Sequence, residues 1–379
     1  MLNLPAQPRL HSADYYFFPL YSAVFDQRSL YLRPVSAWTP EERESVRAVM
    51  QQCADRMEKE VREAEERGEG VLLKEHTCFM VEPTSWVGLG EATVESHRGT
   101  GEEGEAPWTV AIPSHHSSTT PSPSPTSTTV SSSPTTTLTH SPLNTTPLPD
   151  AYLLTYRPTF LIRHPSLAFP SYWRIARQGG INLAKAAPQM TLKYTRRLYE
   201  FYAGAFGKSL EGTSGSAGGQ DGDGDGNEKA REEREESRKW PIVLTADDVM
   251  LQPAVLSAWC ELSGLDGSKL LYDWLVATDA ERAKMHPVGR FMTVSLQDSS
   301  GVRREKVGEG LVLAEEVERW RAEFGETEAS ALERWVRGAM GDWVWLEGRR
   351  LRVGDSQRGE AEVFENGGSG SAIVLRRVL

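Results

Sequence analysis

The order of apolar and polar positions predicts a long amphipathic helix near the start of the chain. Residues 39–42, Thr-Pro-Glu-Glu, form a capping box with proline at the first helical position. Gly68 and Gly70 predict the end of this helix. Apolar residues recur between these signals at helical spacing, at Val46, Val49, Met50, Cys53, Met57, Val61 and Ala64. The spacing indicates a single buried face.

Three short apolar runs predict buried strands, and each is followed by a helical pattern. The strands are predicted at 71–73, 159–162 and 241–245. The principal helices after them are predicted at 165–178, 190–206, 253–263, 312–323 and 327–339. Apolar strands that alternate with helices are typical of an α/β fold, in which helices cover both faces of a parallel sheet. Ligands of such sheets bind at the carboxyl ends of the strands.

Two stretches of the 379-residue chain have almost no apolar residues. Residues 100–150 are rich in Ser, Thr and Pro, and residues 208–239 are rich in Gly and then in Glu, Arg and Lys. Neither stretch can bury enough apolar surface to offset its ordering entropy, so both are predicted to be disordered insertions. They divide one α/β domain into segments 1–99, 151–207 and 240–353, and a tail follows at 354–379.

Bulk charge and cysteine content narrow the class of protein. The formal net charge is −11, which argues against a broad nucleic-acid interface but permits a local basic pocket. Cys53, Cys78 and Cys260 are far apart and form no CxxC pair, as expected in a reducing compartment. No apolar run reaches the length of a membrane span. We therefore expect a cytoplasmic protein without nucleic-acid or membrane partners.

Lys74 and His76 follow the first predicted strand directly. A neutral imidazole at a strand end can accept a proton from a substrate hydroxyl, and a neighbouring ammonium can stabilise developing negative charge. The alternative interpretation is an ordinary polar exit from the strand.

Two further polar motifs follow the other predicted strands. Arg163 ends the second strand and Ser171 lies two turns into the next helix, where a guanidinium and a hydroxyl can hold a phosphate. The alternative is an arginine that caps a loop and a serine that faces solvent. Asp247 and Asp248 follow the third strand and can either bind a metal or cap the next helix. The cap is the favoured interpretation, so no metal site is expected.

Together these segments resemble the sulfotransferases, a family with the fold of P-loop nucleoside triphosphatases. Residues 158–174, PTFLIRHPSLAFPSYWR, resemble the family's nucleotide-binding strand and helix. Residues 74–76 are similar to its Lys-x-His motif, and residues 241–265 are similar to its late strand and helix. The resemblance is greatest to fungal sulfotransferase-like proteins and covers roughly residues 10–100, 148–207 and 240–345.

The resemblance implies a function and a set of site residues. It implies that Arg163 and Ser171 bind the 3′-phosphate of 3′-phosphoadenosine 5′-phosphosulfate, that His76 is the general base and that Lys74 assists it electrostatically. The reaction implied is transfer of a sulfonate to a hydroxyl of a small metabolite, in fungal secondary metabolism. The alternative is a non-catalytic binding or accessory protein that retains the fold.

The resemblance also has a gap at the start of the chain. The family begins with a strand and a loop of the type TxPRSGST, whose backbone amides hold the phosphosulfate. Nothing of this type precedes His11 in the sequence. We therefore expect a fold without the first strand and loop, either because the gene model is truncated or because the protein is a natural remnant.

Overall fold

The computed structural model describes the chain in nine stretches. These are residues 4–25, 30–86, 106–112, 140–207, 239–285, 290, 293–304, 306–353 and 368–376, the last by its backbone alone. The larger parts of both predicted insertions and the first part of the predicted tail, at 113–139, 208–238 and 354–367, lie outside the described residues.

The described strands form one five-stranded sheet. The strands are β1 (Leu10–Asp14), β2 (Gly70–Glu75), β3 (Arg157–His164), β4 (Ile242–Thr245) and β5 (Gly368–Arg376), in the spatial order β1-β2-β5-β3-β4. β1 pairs with β2 in parallel, and β3 pairs with β4 in parallel. β5 is antiparallel to both of its neighbours, so β1 to β4 all run in one direction.

The α/β class predicted from the sequence is therefore confirmed, with one difference in the sheet. β5 is a central antiparallel strand that the sequence pattern does not predict. The Gly- and Ser-rich start of this strand lacks the β-branched run that marks β3 and β4, which explains why the pattern misses it.

Helices connect the parallel strands. The α-helices, in chain order, are α1 (Phe18–Phe25), α2 (Pro40–Glu66), α3 (Asp150–Leu153), α4 (Pro165–Gln178), α5 (Leu183–Ala186), α6 (Lys193–Ala205), α7 (Ala246–Leu251), α8 (Pro253–Ser263), α9 (Asp279–Lys284), α10 (Val294–Gln297), α11 (Leu313–Phe324) and α12 (Glu326–Glu347). Short 3₁₀ turns lie at Leu4–Ala6, Leu30–Leu32, Val35–Ala37, Pro83–Ser85, Ala187–Gln189 and Gly267–Lys269.

The predicted capping box starts α2 as expected. The hydroxyl of Thr39 accepts a hydrogen bond from the Glu42 amide at 3.2 Å, and the Glu42 carboxylate accepts one from the Thr39 amide at 2.9 Å. Gly68 follows the helix with φ of 68°, a backbone conformation that favours glycine. The long helix thus begins and ends at the signals in the sequence.

Apolar side chains cover both faces of the sheet. On one face, Val71, Phe160 and Val243 pack in a core with residues of α1, α2 and α6. On the other face, Leu72 and Leu244 pack in a core with α8. A third core joins α4, α11 and α12. This arrangement matches the prediction of a sheet buried on both sides.

The ends of the first predicted insertion belong to the folded core. Trp108 and Val110 are buried, and so is Leu148. The Asn144 amide donates hydrogen bonds to the Leu148 carbonyl and to the Asp150 carboxylate, both at 2.8 Å. The prediction of disorder is therefore wrong at both ends of this stretch. Burial of these apolar side chains offsets the entropy that is lost when the backbone is ordered.

The α-helices in the described part of the chain are 4 to 27 residues long. None of them combines the length and the apolar composition needed to cross a membrane.

Candidate functional site

The carboxyl ends of four parallel strands meet at one edge of the sheet. Tyr15 follows β1, His76 follows β2, Arg163 lies at the end of β3 and Asp247 follows β4. One strand, β5, separates β2 from β3. At the usual strand spacing, the axes of β2 and β3 are about 10 Å apart. The sheet therefore brings the predicted His76 motif and the predicted Arg163 motif to the same edge.

A cavity of about 390 Å³ lies at the end of β3 and β4. This volume is within the range of small-molecule sites. The residues that line it come from β3, from β4 and α7, from the loop 308–310 and from the end of α12: Arg163, His164, Thr245, Ala246, Asp247, Asp248, Leu251, Gln252, Gly308, Glu309, Gly310, Trp343, Glu347 and Arg350.

The positively charged guanidinium of Arg163 lies near the carboxylate of Asp247. Burial lowers the pKa of Arg163, while the Asp247 carboxylate acts in the opposite direction. One terminal nitrogen donates to the Lys306 carbonyl at 3.4 Å. The buried Nε has no hydrogen-bond partner among the described residues. Because an arginine stays protonated, Arg163 presents an unsatisfied cationic donor at the strand end.

Asp247 and Gly308 hold a loop against the end of β3. Burial raises the pKa of Asp247, and the Gly308 amide donates to its carboxylate at 2.7 Å. A Cβ atom at Gly308 would lie 2.8 Å from Cδ2 of His164, so a larger residue does not fit without movement. Sequence reasoning missed this loop because nothing in the spacing connects residue 308 with residues 164 and 247.

The acidic pair has a structural role at the start of α7. Thr245 is the N-cap, because its hydroxyl accepts from the Asp248 amide at 3.0 Å. The Asp248 carboxylate accepts from the Thr245 hydroxyl at 2.7 Å and pairs with Arg350 at 3.2 Å. The expectation that Asp247 or Asp248 caps the helix is therefore wrong, because Thr245 is the N-cap and both aspartates lie in the first turn. Within the described stretches, no group of three or more His, Cys, Asp or Glu side chains is placed to hold a metal ion.

His76 lies in an aromatic cage beside Lys74. Its ring stacks on Tyr15, with centroids 5.3 Å apart, and meets the edge of Phe79 at 4.9 Å. The Lys74 ammonium lies 5.0 Å from the centre of the Tyr15 ring. Burial, and next the charge of Lys74, lower the pKa of His76 to about 4. The imidazole is therefore neutral near pH 7, the form in which it can accept a proton.

Tyr15 is a candidate site residue that the sequence pattern does not predict. It adopts a left-handed backbone conformation with φ of 60°, which is uncommon for a residue other than glycine. Its amide donates to the Lys74 carbonyl at 3.0 Å. Strained backbone of this kind is concentrated at functional sites. No residue pattern signals the strain, because tyrosine is a common strand and loop residue.

Ser171 is on the helix that follows Arg163. It is half-buried on α4, about 9 Å along the helix axis from the first helical residue. The described residues around the cavity do not include it, and no hydrogen bond joins it to Arg163 in the described part of the chain. Its neighbour Tyr172 accepts a hydrogen bond from Gln189 at 2.6 Å, and the same amide donates to Tyr21 at 2.9 Å. The structure thus brings Lys74 and His76 together but does not join Ser171 to Arg163.

Comparison with known proteins places the chain in a family. A sulfotransferase named ppzF from Metarhizium majus (strain ARSEF 297) is 32% identical over 363 residues, which cover 93% of this chain and 92% of the relative. The chain belongs to the fungal sulfotransferase-like family. The ppzF sulfotransferase of Metarhizium rileyi (strain RCEF 4871) is also 32% identical, over 362 residues with the same coverage.

The family assignment rests on these full-length relatives. No family model matches the chain, and no solved structure matches it. The alignment covers nearly the whole length of this member of the sulfotransferase-like family.

Proposed function

We propose that the chain transfers a sulfonate from 3′-phosphoadenosine 5′-phosphosulfate to a hydroxyl group of a small metabolite. Two ppzF relatives bear the name sulfotransferase, which supports the reaction class. The observation that carries the proposal is the common direction of β2 and β3, since it puts a neutral imidazole and a cationic guanidinium at one edge of the sheet.

The donor set at the end of β3 suits an anionic group. The Nε of Arg163, the Nε2 of His164 and the hydroxyl of Ser166 are buried without a partner among the described residues. Ser166 lies in the first turn of α4, where helix amides also favour negative charge. Arg163, with Ser171 farther along the helix, would hold the 3′-phosphate. The nucleotide supplies the activated sulfonate.

His76 would act on the acceptor. As the acceptor oxygen forms its bond to sulfur, the imidazole takes the hydroxyl proton, and the bond between sulfur and the phosphate oxygen breaks with its electron pair left on the phosphate. Lys74 would stabilise the negative charge that develops. The products are a sulfate ester and 3′-phosphoadenosine 5′-phosphate.

Calorimetry with 3′-phosphoadenosine 5′-phosphate tests the nucleotide site. We expect binding by the wild type and a roughly 10- to 100-fold loss of affinity in Arg163→Ala, because a charge-assisted hydrogen bond contributes about 1.5–3 kcal/mol. Arg174→Ala is the matched control. It removes an equal charge from the adjoining helix, where Arg174 pairs with Glu323 on the surface. Absence of binding by the wild type would refute the proposal.

One observation favours a second function, that of a non-catalytic binding or accessory protein. A histidine with a pKa of about 4 is a weak base at neutral pH. A sulfonate-transfer assay on phenols and alcohols separates the two. Transfer that depends on His76 supports the enzyme, whereas nucleotide binding without any transfer supports the accessory protein.

A further inference from the structure

We propose that the backbone N–H groups of Gly368 and Gly370, at the start of β5, bind the anionic phosphosulfate end of the donor between His76 and Arg163. This inference rests on the proposed function and adds a second half to its nucleotide site. Nothing in the sequence motifs assigns a role to this C-terminal segment.

The register of β5 leaves one of its edges open at the site. Its pairing with β2 ends at Glu75 and Ala372, whereas its pairing with β3 continues to His164 and Gly368. Among the described strands, residues 368–371 therefore have a neighbour only on the β3 side. Their other edge faces the space beyond the end of β2, where the chain turns away at His76.

The position of a proline indicates which amides face this space. Pro158 pairs with Val374 but has no N–H to donate, so this pair is a non-hydrogen-bonded one. Because hydrogen-bonded and non-hydrogen-bonded pairs alternate along an antiparallel ladder, Gly370 and Gly368 are also in non-hydrogen-bonded pairs with β3. Their N–H groups therefore point away from β3, toward the open edge.

Donor groups lie on both sides of this space, while the nearby carboxylates of Glu75 and Asp247 already accept hydrogen bonds from the Phe17 and Gly308 amides. Glycine has no side chain to block a close approach to its amide, and successive backbone amides bind anions. Lys74, near the end of β2, and His76, just after it, lie on one side, and Arg163 lies on the other. A phosphate or sulfonate oxygen is the acceptor that such a set of groups recognises.

His164 contributes a further buried donor at the end of β3, in the cavity beside Gly308. It is 7% exposed and pairs with Gly368. Its Nδ1 accepts a hydrogen bond from the Ser166 amide at 3.0 Å. In the neutral ring the proton is therefore on Nε2, and this buried N–H has no partner among the described residues. A buried donor of this kind calls for an acceptor at the end of β3, such as a water or an anion.

Replacement of a single amide by an ester tests the proposal without altering a side chain. A synthetic peptide that carries residues 354–379 with an ester at Gly370 is ligated to the rest of the chain. The probe is adenosine 5′-phosphosulfate, which has the sulfonate but lacks the 3′-phosphate. We expect about tenfold weaker binding by calorimetry than for the all-amide ligation product. An ester at Ser371, whose N–H faces β3, is the matched control and should lower the melting temperature but leave the affinity unchanged.

Gly368→Pro and Gly368→Ala form a second pair that needs no chemical synthesis. Proline is tolerated at the first residue of a strand and removes the amide donor, whereas alanine retains it. We expect weaker binding of the probe only in the proline variant. Unchanged affinity for the probe in both the Gly370 ester and Gly368→Pro would overturn this inference. The proposed function would still stand if Arg163→Ala weakens binding of 3′-phosphoadenosine 5′-phosphate. Failure of the wild type to bind either nucleotide would overturn the proposed function as well.

Discussion

Burial among aromatic rings and the charge of Lys74 together determine the charge state of the His76 imidazole. Since its pKa is lowered from 6.5 to about 4, the ring stays neutral well below neutral pH. A general base is active in its unprotonated form, so activity is lost as the pH falls through the pKa of the free enzyme. We expect the acid limb of kcat/KM near pH 4 to 5, and not near 6.5.

Lys74→Met should shift this acid limb to higher pH, because it removes a positive charge that disfavours the imidazolium. The limb should stay below pH 6.5, since burial is the larger cause and remains. Lys59→Met is the control, because Lys59 is exposed on α2 and pairs with Glu63. A limb at 6.5 in the wild type, or one that Lys74→Met does not move, would remove His76 from the role of base.

At the scale of elements, β3 is tied to α8 by one buried hydrogen bond. The indole N–H of Trp259 donates to the Thr159 hydroxyl at 2.8 Å, and both residues are almost fully buried. Thr159→Val has nearly the same shape but leaves the indole N–H without an acceptor. We expect a loss of about 1–3 kcal/mol in the free energy of unfolding, measured by urea denaturation.

Thr159→Ser is the matched control for this change, because it keeps the hydroxyl and removes only a methyl group. It should lose less stability than the valine variant. Neither variant should alter nucleotide affinity, since Thr159 is in the interior of β3 and Arg163 is at its end. An equal loss of stability in both would mean that packing, and not the hydrogen bond, connects β3 to α8.

The sequence predicts elements well where one local signal dominates. α4 and α8 lie at the predicted 165–178 and 253–263, since each has proline at the first turn and glycine after its last residue. β1 was missed because Leu-His-Ser-Ala-Asp lacks an apolar run. α12 extends to Glu347, beyond the predicted 339, because Trp343 and Leu346 pack in the core and outweigh the helix-breaking tendency of Gly341.

The candidate site was predictable only in part, for a similar reason. The residues at strand ends, Lys74, His76 and Arg163, follow from local apolar runs. Gly308 and the start of β5 reach the site through long-range pairing, which no local pattern encodes. The assignment of Ser171 rests on its spacing from Arg163 alone and stays a prediction, since Ser171 is not among the residues that line the cavity.

At the scale of the whole molecule, β5 joins two halves of the sheet. It forms five register pairs with β2 and seven with β3, and no other strand of the described sheet connects β1-β2 with β3-β4. The separation between His76 and Arg163 therefore depends on this strand. A C-terminal segment thus determines the geometry of a site whose side chains come from elsewhere in the chain.

Removal of residues 368–379 should for this reason affect the entire fold. We expect the truncated chain to lose the single cooperative thermal transition of the full chain, monitored by circular dichroism, because both β2 and β3 would present unpaired backbone groups in the core. Addition of a peptide that carries residues 354–379 should restore the transition, since the open position accepts a strand of defined direction. A peptide of the same composition in scrambled order should not. A truncated chain that melts cooperatively at the temperature of the full chain would show that the two halves hold together without β5.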